Sequence, residues 1–406
     1  MSAKRIPHTA PGPAVGLVPG PTRHRVDVEC AAPLLTAGDP LADAVIAELD
    51  LHGAKARQAL DTGLRKGLAA LDERPPEAVA ALLRQTETTP SWVDPLMLHR
   101  GDVVSLSVPP LWFAICSITS ALVHAYASPA IARAVAAADR HAPTASRHLV
   151  QAGVWARQTI RPGGLLRGGP GYVATVEARL HHARMRTTSL AHWNSGAPGL
   201  PVGQLDMART WLGFTLVAFQ ALAAVGVEIT DEEERHLYRY WSYVAHLLGL
   251  DERLYQDVVD HAGARRLQDL LNDLTAAPDA ASRTATAAVI AAQAHATSHA
   301  PGTVLSEGQL RDLLHSVLRR SLGQTADRLG VPDIPAGDDL TPLVSTVNRQ
   351  SRFWQTFSPA SAQAARRQAV DEPGPGHEPI AVVLPLGAAF QRRAEVRHPG
   401  SGSPAA

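Results

Sequence analysis

The chain has 406 residues, with 38 basic and 38 acidic side chains and a formal net charge of zero. Balanced charge provides no long-range field to draw it to nucleic acid or anionic lipid, and the length allows one large domain or two ordinary ones. An alanine-rich composition with 5% aromatics and few β-branched runs favours helices over sheets.

Residues 1–38 are rich in proline and glycine and predict an irregular leading segment. The first 30 residues lack the continuous apolar core of a secretory signal. The two cysteines, Cys30 and Cys116, form no CxxC pair or disulfide framework, which suits a reducing compartment. A cytoplasmic location is expected.

ADAVIAELDLHG (42–53), KARQALDTGLRKGLAAL (55–71) and PPEAVAALLRQTE (75–87) place apolar residues at three- and four-residue intervals, the pattern of amphipathic helices. The double proline suits a helix start, where a missing N–H costs nothing. SWVDPLMLHRGD (91–102) reads as a Trp-anchored turn. LWFAICSITSALVHAYA (111–127) and WLGFTLVAFQALAAVGV (211–227) lack formal charge but sit at the short limit for a bilayer span. With Ser117, Thr119, Ser120, His124, Thr215 and Gln220 inside them, they predict central helices of a large bundle rather than stable membrane insertion.

Helices are expected from Pro129 to about Arg140 and from about 144 to 160. RPGGLLRGGPGY (161–172) is a turn-rich loop; with no preceding strand and no following Lys-Ser/Thr it is not a phosphate cradle. A helix follows over about 172–189, then the break NSGAPGLPVG. Thr230 and Glu233 form a capping box for the helix ending at Gly249. Further helices are predicted at 251–276, 283–299, 305–329 (with a Ser306–Gln309 capping box), 341–357 and 359–371. IAVVLPL (380–386) is the lone strand candidate. The expected organisation is a leading segment 1–38, a single all-α domain 39–372 and an irregular tail 373–406.

The helix over 172–189 carries VEARLHHARMR (176–186). Arg179, His182 and Arg186 share one helical face, while His181 is turned about 100° from His182. A neutral imidazole one turn from an arginine suits a metal in an anionic macrocycle: nitrogen to iron, guanidinium to a propionate. The same residues also read as structural histidines and a solvated arginine face, since no zinc-type ligand set accompanies them.

RLHHARMR resembles the Arg-x-x-His-Ala-x-(Val/Met)-Arg signature of the latex-clearing protein, or rubber oxygenase, family, which also includes a membrane-bound oxygenase of mycophenolic acid biosynthesis. Further pieces agree in order over about 85–260: PSWVD, LHRGD, AYASP, PGGLLRGGPG, GAPGLPVGQLD with Thr210, Glu233, Tyr240-Trp241 and LLGLDE. The resemblance implies an expanded globin-like helical fold holding haem b (iron protoporphyrin IX). It makes His182 the proximal iron ligand and metal site, Arg179 and Arg186 cofactor-directed partners, and dioxygen the co-substrate.

The sequence departs from the family at the other face of the haem. The family's distal Arg-x-x-Lys-Thr falls on His148, Gln151 and Ala152, so its lysine is missing; its carboxylate base falls near Ala132, with Asp139 the nearest acid. The residue before Gln204, an asparagine in the family, is Gly203. His148 and Gln151 are the candidate distal catalytic residues, as donors of a hydrogen bond to bound dioxygen.

Other chemistries find less support. Glu233-x-x-His236 is half of a di-iron motif without its partner. Cys116 lacks the loop of a thiolate haem ligand and reads as core. The expected function is a haem b-dependent oxygenase acting on an apolar, unsaturated small molecule such as an isoprenoid, with no particular electron donor indicated. The alternative is a non-catalytic haem protein that senses or carries a gas.

Overall fold

The computed structural model describes residues 28–71, 74–138, 144–191, 193, 199–300 and 302–371. Among these every regular element is helical, as the composition predicts. The leading segment to residue 27, Asp139, and the tail with its 380–386 strand candidate lie outside the described residues.

In the first third, helices α1 (Pro40–His52), α2 (Ala54–Lys66) and α3 (Glu77–Glu87) are amphipathic. The segment expected as a Trp-anchored turn is instead largely helix α4 (Pro95–Ser105). Asp94 caps it by accepting from the Met97 N–H at 2.8 Å, with Pro95 in the first turn. Its buried positions include Gly101, Asp102 and Ser105, so it lacks the clean apolar stripe that marks a helix in sequence.

Two central helices form the middle of the core. The first, α5 (Pro110–Ala125), contains a π-helical stretch at Phe113–Thr119. The chain continues through α6 (Pro129–Ala138), α7 (Thr144–Ile160) and α8 (Pro170–Leu190). The second central helix, α9, comprises Gln204–Leu212, a π-helical stretch at Gly213–Val217 and Ala218–Ala224. α5 and α9 cross closely at Gly213, where a Cβ would lie 2.9 Å from the Ala121 Cα; only glycine fits there. Trp211, Leu212, Leu216, Ile115 and Tyr126 are fully buried around this crossing.

Helices α10 (Asp231–Leu247) and α13 (Glu307–Leu322) begin with the two predicted capping boxes. Between them lie α11 (His261–Leu274) and α12 (Ala280–Ser298). The helix expected from 251 starts ten residues later at His261, because Asp260 caps it by accepting from the Gly263 N–H and residues 252–254 form a separate 3₁₀ turn. α14 (Thr341–Phe357) and α15 (Pro359–Asp371) close the described chain at the predicted bounds.

Among the described residues no single helix is long and apolar enough to cross a membrane. α4 and α5 pass a span's length and composition test together, but they are bent by 99°, and α5 is almost wholly buried within the protein. Glu233 pairs Arg352 at 2.8 Å besides capping α10, in keeping with a structural role. Cys116 is fully buried within α5, and burial pushes its thiol well above the usual range, which leaves it inert.

Candidate functional site

A cavity of about 440 Å³ opens between α7, α8 and α9, within the roughly 300–1,000 Å³ of small-molecule and cofactor sites. α8 brings His181 and His182 to it, α7 brings His148 and Gln151, and α9 brings Thr210. Three of the five predicted site residues, His148, Gln151 and His182, therefore converge on one space, although His148 and His182 are 34 residues apart. The two neighbouring histidines, turned about 100° apart on the helix, both border this cavity, with ring centroids 6.2 Å apart.

His182 has an environment that disfavours a charged ring. Burial pushes its imidazole down to about 3, and His181, His148 and Arg186 add repulsion against a proton. At neutral pH the ring is uncharged and keeps a lone pair for a Lewis acid. Its Nδ1 is buried and hydrogen-bonds to none of the described residues, a condition that costs about 1–3 kcal/mol unless something pairs with that atom. His181 is more exposed; burial and the Arg147 charge also lower its protonation. Among the described residues no group of three or more His, Cys, Asp or Glu side chains could hold a metal ion. A metal carried within a macrocycle needs one axial side chain rather than such a cluster.

His148 lies on the neighbouring helix. Its Nδ1 is 2.8 Å from the Tyr126 hydroxyl, which fixes the ring and commits one of its two nitrogens. Burial pushes this imidazole down to about 4, with the charges of His181 and Arg147 acting in the same direction, so it too is neutral at pH 7. Gln151 is exposed along the cavity's edge, and Ala152 adds apolar lining. Ala132, at the position of the family's carboxylate, is fully buried and does not line the cavity.

Arg179 and Arg186 do not line it either. Arg179 is 4% exposed and donates Nε to Asp39 Oδ2 at 2.5 Å, Nη2 to Asp39 Oδ1 at 2.9 Å and Nη1 to Gln85 Oε1 at 2.7 Å. Arg186 donates to Asp43 at 2.7–3.2 Å and to the Val202 carbonyl at 2.6 Å. Their guanidinium groups, expected to face a cofactor, are instead engaged by Asp39 and Asp43 at the start of α1, by Gln85 of α3 and by the Val202 carbonyl just before α9. The motif's spacing anchors α8 from behind while its histidines face forward.

Other matching pieces serve the same purpose. Gly249 has φ +73°, and a Cβ there would lie 2.3 Å from Arg179 Nε, so glycine lets the chain pass over the ion pair. Gln204 donates to the carbonyls of Gly38 and Gly249 and accepts from the Asp251 N–H. Asp102 accepts from the Gly163 N–H at 2.9 Å and from the Tyr240 hydroxyl at 3.0 Å, joining α4 and α10 to the glycine loop. That loop's Gly164, Gly169 and Gly171 pack against backbone carbonyls, which agrees with a turn rather than a phosphate cradle.

Trp241, already part of the matching pieces, lines the cavity together with three residues not singled out from sequence: Trp155, Phe214 and Glu177. Trp155, Phe214 and Trp241 form an aromatic wall, with Trp155 4.8 Å from Phe214 and Phe214 stacked on Trp241 at 5.6 Å. Glu177 is the one acidic residue among those lining the cavity, and burial raises its carboxyl above the usual range against the pull of Arg65. Its signal in the sequence is its place four positions before His181, on the same face of α8.

Residues 110–347 match the family model described as ER-bound oxygenase mpaB/B'/Rubber oxygenase, catalytic domain, extending the resemblance beyond the 85–260 region on the C-terminal side. Rubber oxygenase of Streptomyces sp. (strain K30) is 25% identical over 283 residues, which cover 67% of this chain and 64% of that protein. The fold matches the structure of latex clearing protein LCP in the closed state, with a TM-score of 0.59 and 19% identity over 94% of each chain.

Proposed function

Because this chain belongs to the ER-bound oxygenase mpaB/B'/rubber oxygenase family, we propose that it is a haem b-dependent oxygenase that uses dioxygen to oxidise an apolar, unsaturated small molecule. The observation that carries this reading is His182: a neutral imidazole, with a buried and unpartnered Nδ1, at the wall of a cofactor-sized cavity. Bound haem would supply the redox-active iron. The protein's contributions are those of the side chains around it.

His182 would hold the iron by its lone pair, and burial keeps that lone pair from a proton. Arg179 and Arg186 act as positioning residues that fix α8 against α1, rather than as partners of the propionates. His148 faces the cavity as a neutral ring whose Nδ1 is tied to Tyr126, leaving Nε2 as its hydrogen-bonding atom for a small polar guest. Trp155, Phe214 and Trp241 exclude water and offer an apolar surface to the substrate. Glu177 is the side chain suited to exchange a proton with solvent at the edge of the site.

The absence of the family's lysine and threonine, replaced by Gln151 and Ala152, favours a second reading: a haem protein that senses or carries a gas without turnover. Oxygen uptake separates the two. After haem reconstitution, an oxygenase consumes dioxygen when supplied with apolar alkenes, and a sensor or carrier binds it without net consumption. No uptake across linear and branched alkenes would leave the second reading.

A further inference from the structure

The segment HATSH (295–299) closes α12 with two histidines four residues apart, His299 standing at the C-cap. That spacing sets side chains one above the other on a helix, and the two ring centroids are 4.3 Å apart. His295 has 65% of its side chain open to solvent, and His299 is exposed as well. Neither lines the main cavity, so the pair lies outside the site already described.

The hydrogen bonds around the rings decide which nitrogen of each carries the proton. His295 Nδ1 is 3.1 Å from Glu307 Oε2, and an ionised carboxylate only accepts. The other oxygen of Glu307 accepts from Arg311 Nη2 at 2.8 Å, which holds the carboxylate in place. His299 Nδ1 is 2.9 Å from the His295 carbonyl and 3.0 Å from Ser298 Oγ. A carbonyl also only accepts, and the Ser298 hydroxyl donates to that same carbonyl at 2.8 Å. In the neutral rings both protons therefore sit on Nδ1 and both lone pairs on Nε2. Neither Nε2 hydrogen-bonds to a described residue.

Metal-binding imidazoles are held in this way, their second nitrogen donating to a carboxylate or a backbone carbonyl. Two histidines at this spacing chelate zinc from one helix face. Zinc–nitrogen bonds of about 2.1 Å at near-tetrahedral angles put the ring centroids about 5 Å apart, close to the separation found here. We propose that His295 and His299 chelate a divalent transition-metal ion through their Nε2 atoms, with Glu307 as the residue that positions His295. An imidazole pair suits zinc, copper or nickel rather than magnesium or calcium. The described residues offer no group of three or more such side chains around an ion, so water completes the coordination and the ion exchanges with solvent. Bound there, it bridges the last turn of α12 and, through Glu307, secures the start of α13.

The test is calorimetric titration of zinc chloride into the full chain, freed of any affinity tag. The wild type is expected to take up zinc at this site with a Kd on the order of 10 µM. His295→Ala and His299→Ala should each weaken that binding about 100-fold, because a chelate loses its second contact. Glu307→Ala should weaken it about tenfold, as the loss of an orienting partner does at other metal-bound histidines. Circular dichroism checks that each variant keeps its helices. Should His299→Ala fray the end of α12, His299→Asn, a residue well tolerated at helix C-termini, serves in its place. No zinc binding by the wild type, or unchanged affinity in either histidine variant, overturns the proposal. Unchanged affinity in Glu307→Ala overturns the part assigned to Glu307.

Discussion

Arg179 grips Asp39 through two hydrogen bonds, at 2.5 and 2.9 Å, across 140 residues of sequence. With the arginine side chain 4% exposed and the aspartate 10% exposed, each neutralises a charge that could not otherwise be buried. The pair ties the chain before α1 to the helix that carries both cavity histidines. Removing one partner is expected to be far worse than removing both. Asp39→Asn should lower stability by about 3–5 kcal/mol, measured by urea unfolding, and Asp39→Leu combined with Arg179→Met should recover a large part of it. A loss below about 1 kcal/mol in the single variant would mean that the pair behaves as a surface contact.

The fully buried His124 gives the protein a defined response to acid. Burial pushes its ring down to about 3 from an ordinary value of 6.5, the Arg209 charge adds to this, and a contact of 3.0 Å between Nδ1 and the Arg209 carbonyl opposes it. Below about pH 6.5 the unfolded chain takes up a proton at this ring that the folded chain refuses until about pH 3. Stability therefore falls as pH falls through that window, by about 1.4 kcal/mol per pH unit where the difference is a full proton. Asp102, raised to about 6 chiefly by burial, acts in the opposite sense between about 4 and 6. Comparing His124→Gln with the wild type isolates the histidine. Urea unfolding across pH 7.5 to 5 should give a shallower acid slope in the variant, at about one proton less; equal slopes would contradict the assignment.

Tyr126 and His148 provide a test of positioning. Tyr126→Phe removes the hydroxyl 2.8 Å from His148 Nδ1 and leaves the apolar ring in the core. A stability loss of about 1 kcal/mol is expected from the bond itself. On the proposed function, haem retention should be unchanged while oxygen uptake falls about 10- to 100-fold, as for other residues that orient an active group. The pH profile of uptake should also shift, which a purely structural role for Tyr126 would leave in place.

Much of this architecture is legible along the chain, because helix caps and apolar spacing are local. Thr230 with Glu233 and Ser306 with Gln309 form their capping boxes as read. α4 escapes such reading because its buried face contains Gly101 and Asp102, whose purpose depends on Tyr240 and Gly163 elsewhere in the chain. The histidine-bearing helix is equally visible, but the direction of its arginines is not. Asp39 and Asp43 meet Arg179 and Arg186 only after folding, and a motif's spacing shows which side chains share a face without showing what that face meets. The π-helical stretches and the aromatic wall depend likewise on long-range packing.

One imidazole of the adjacent pair is proposed to bind iron, and haem uptake by variants of each histidine tells the two rings apart. Haem reconstitution of the wild type, His181→Ala and His182→Ala, followed through the Soret band and the pyridine haemochrome, reads the ligand without requiring a substrate. The wild type and His181→Ala should retain stoichiometric haem, whereas His182→Ala should lose it while keeping its helical circular dichroism. Retention by His182→Ala together with loss by His181→Ala would move the ligand to the neighbouring ring, and no haem uptake by the wild type would mean that neither histidine serves a haem.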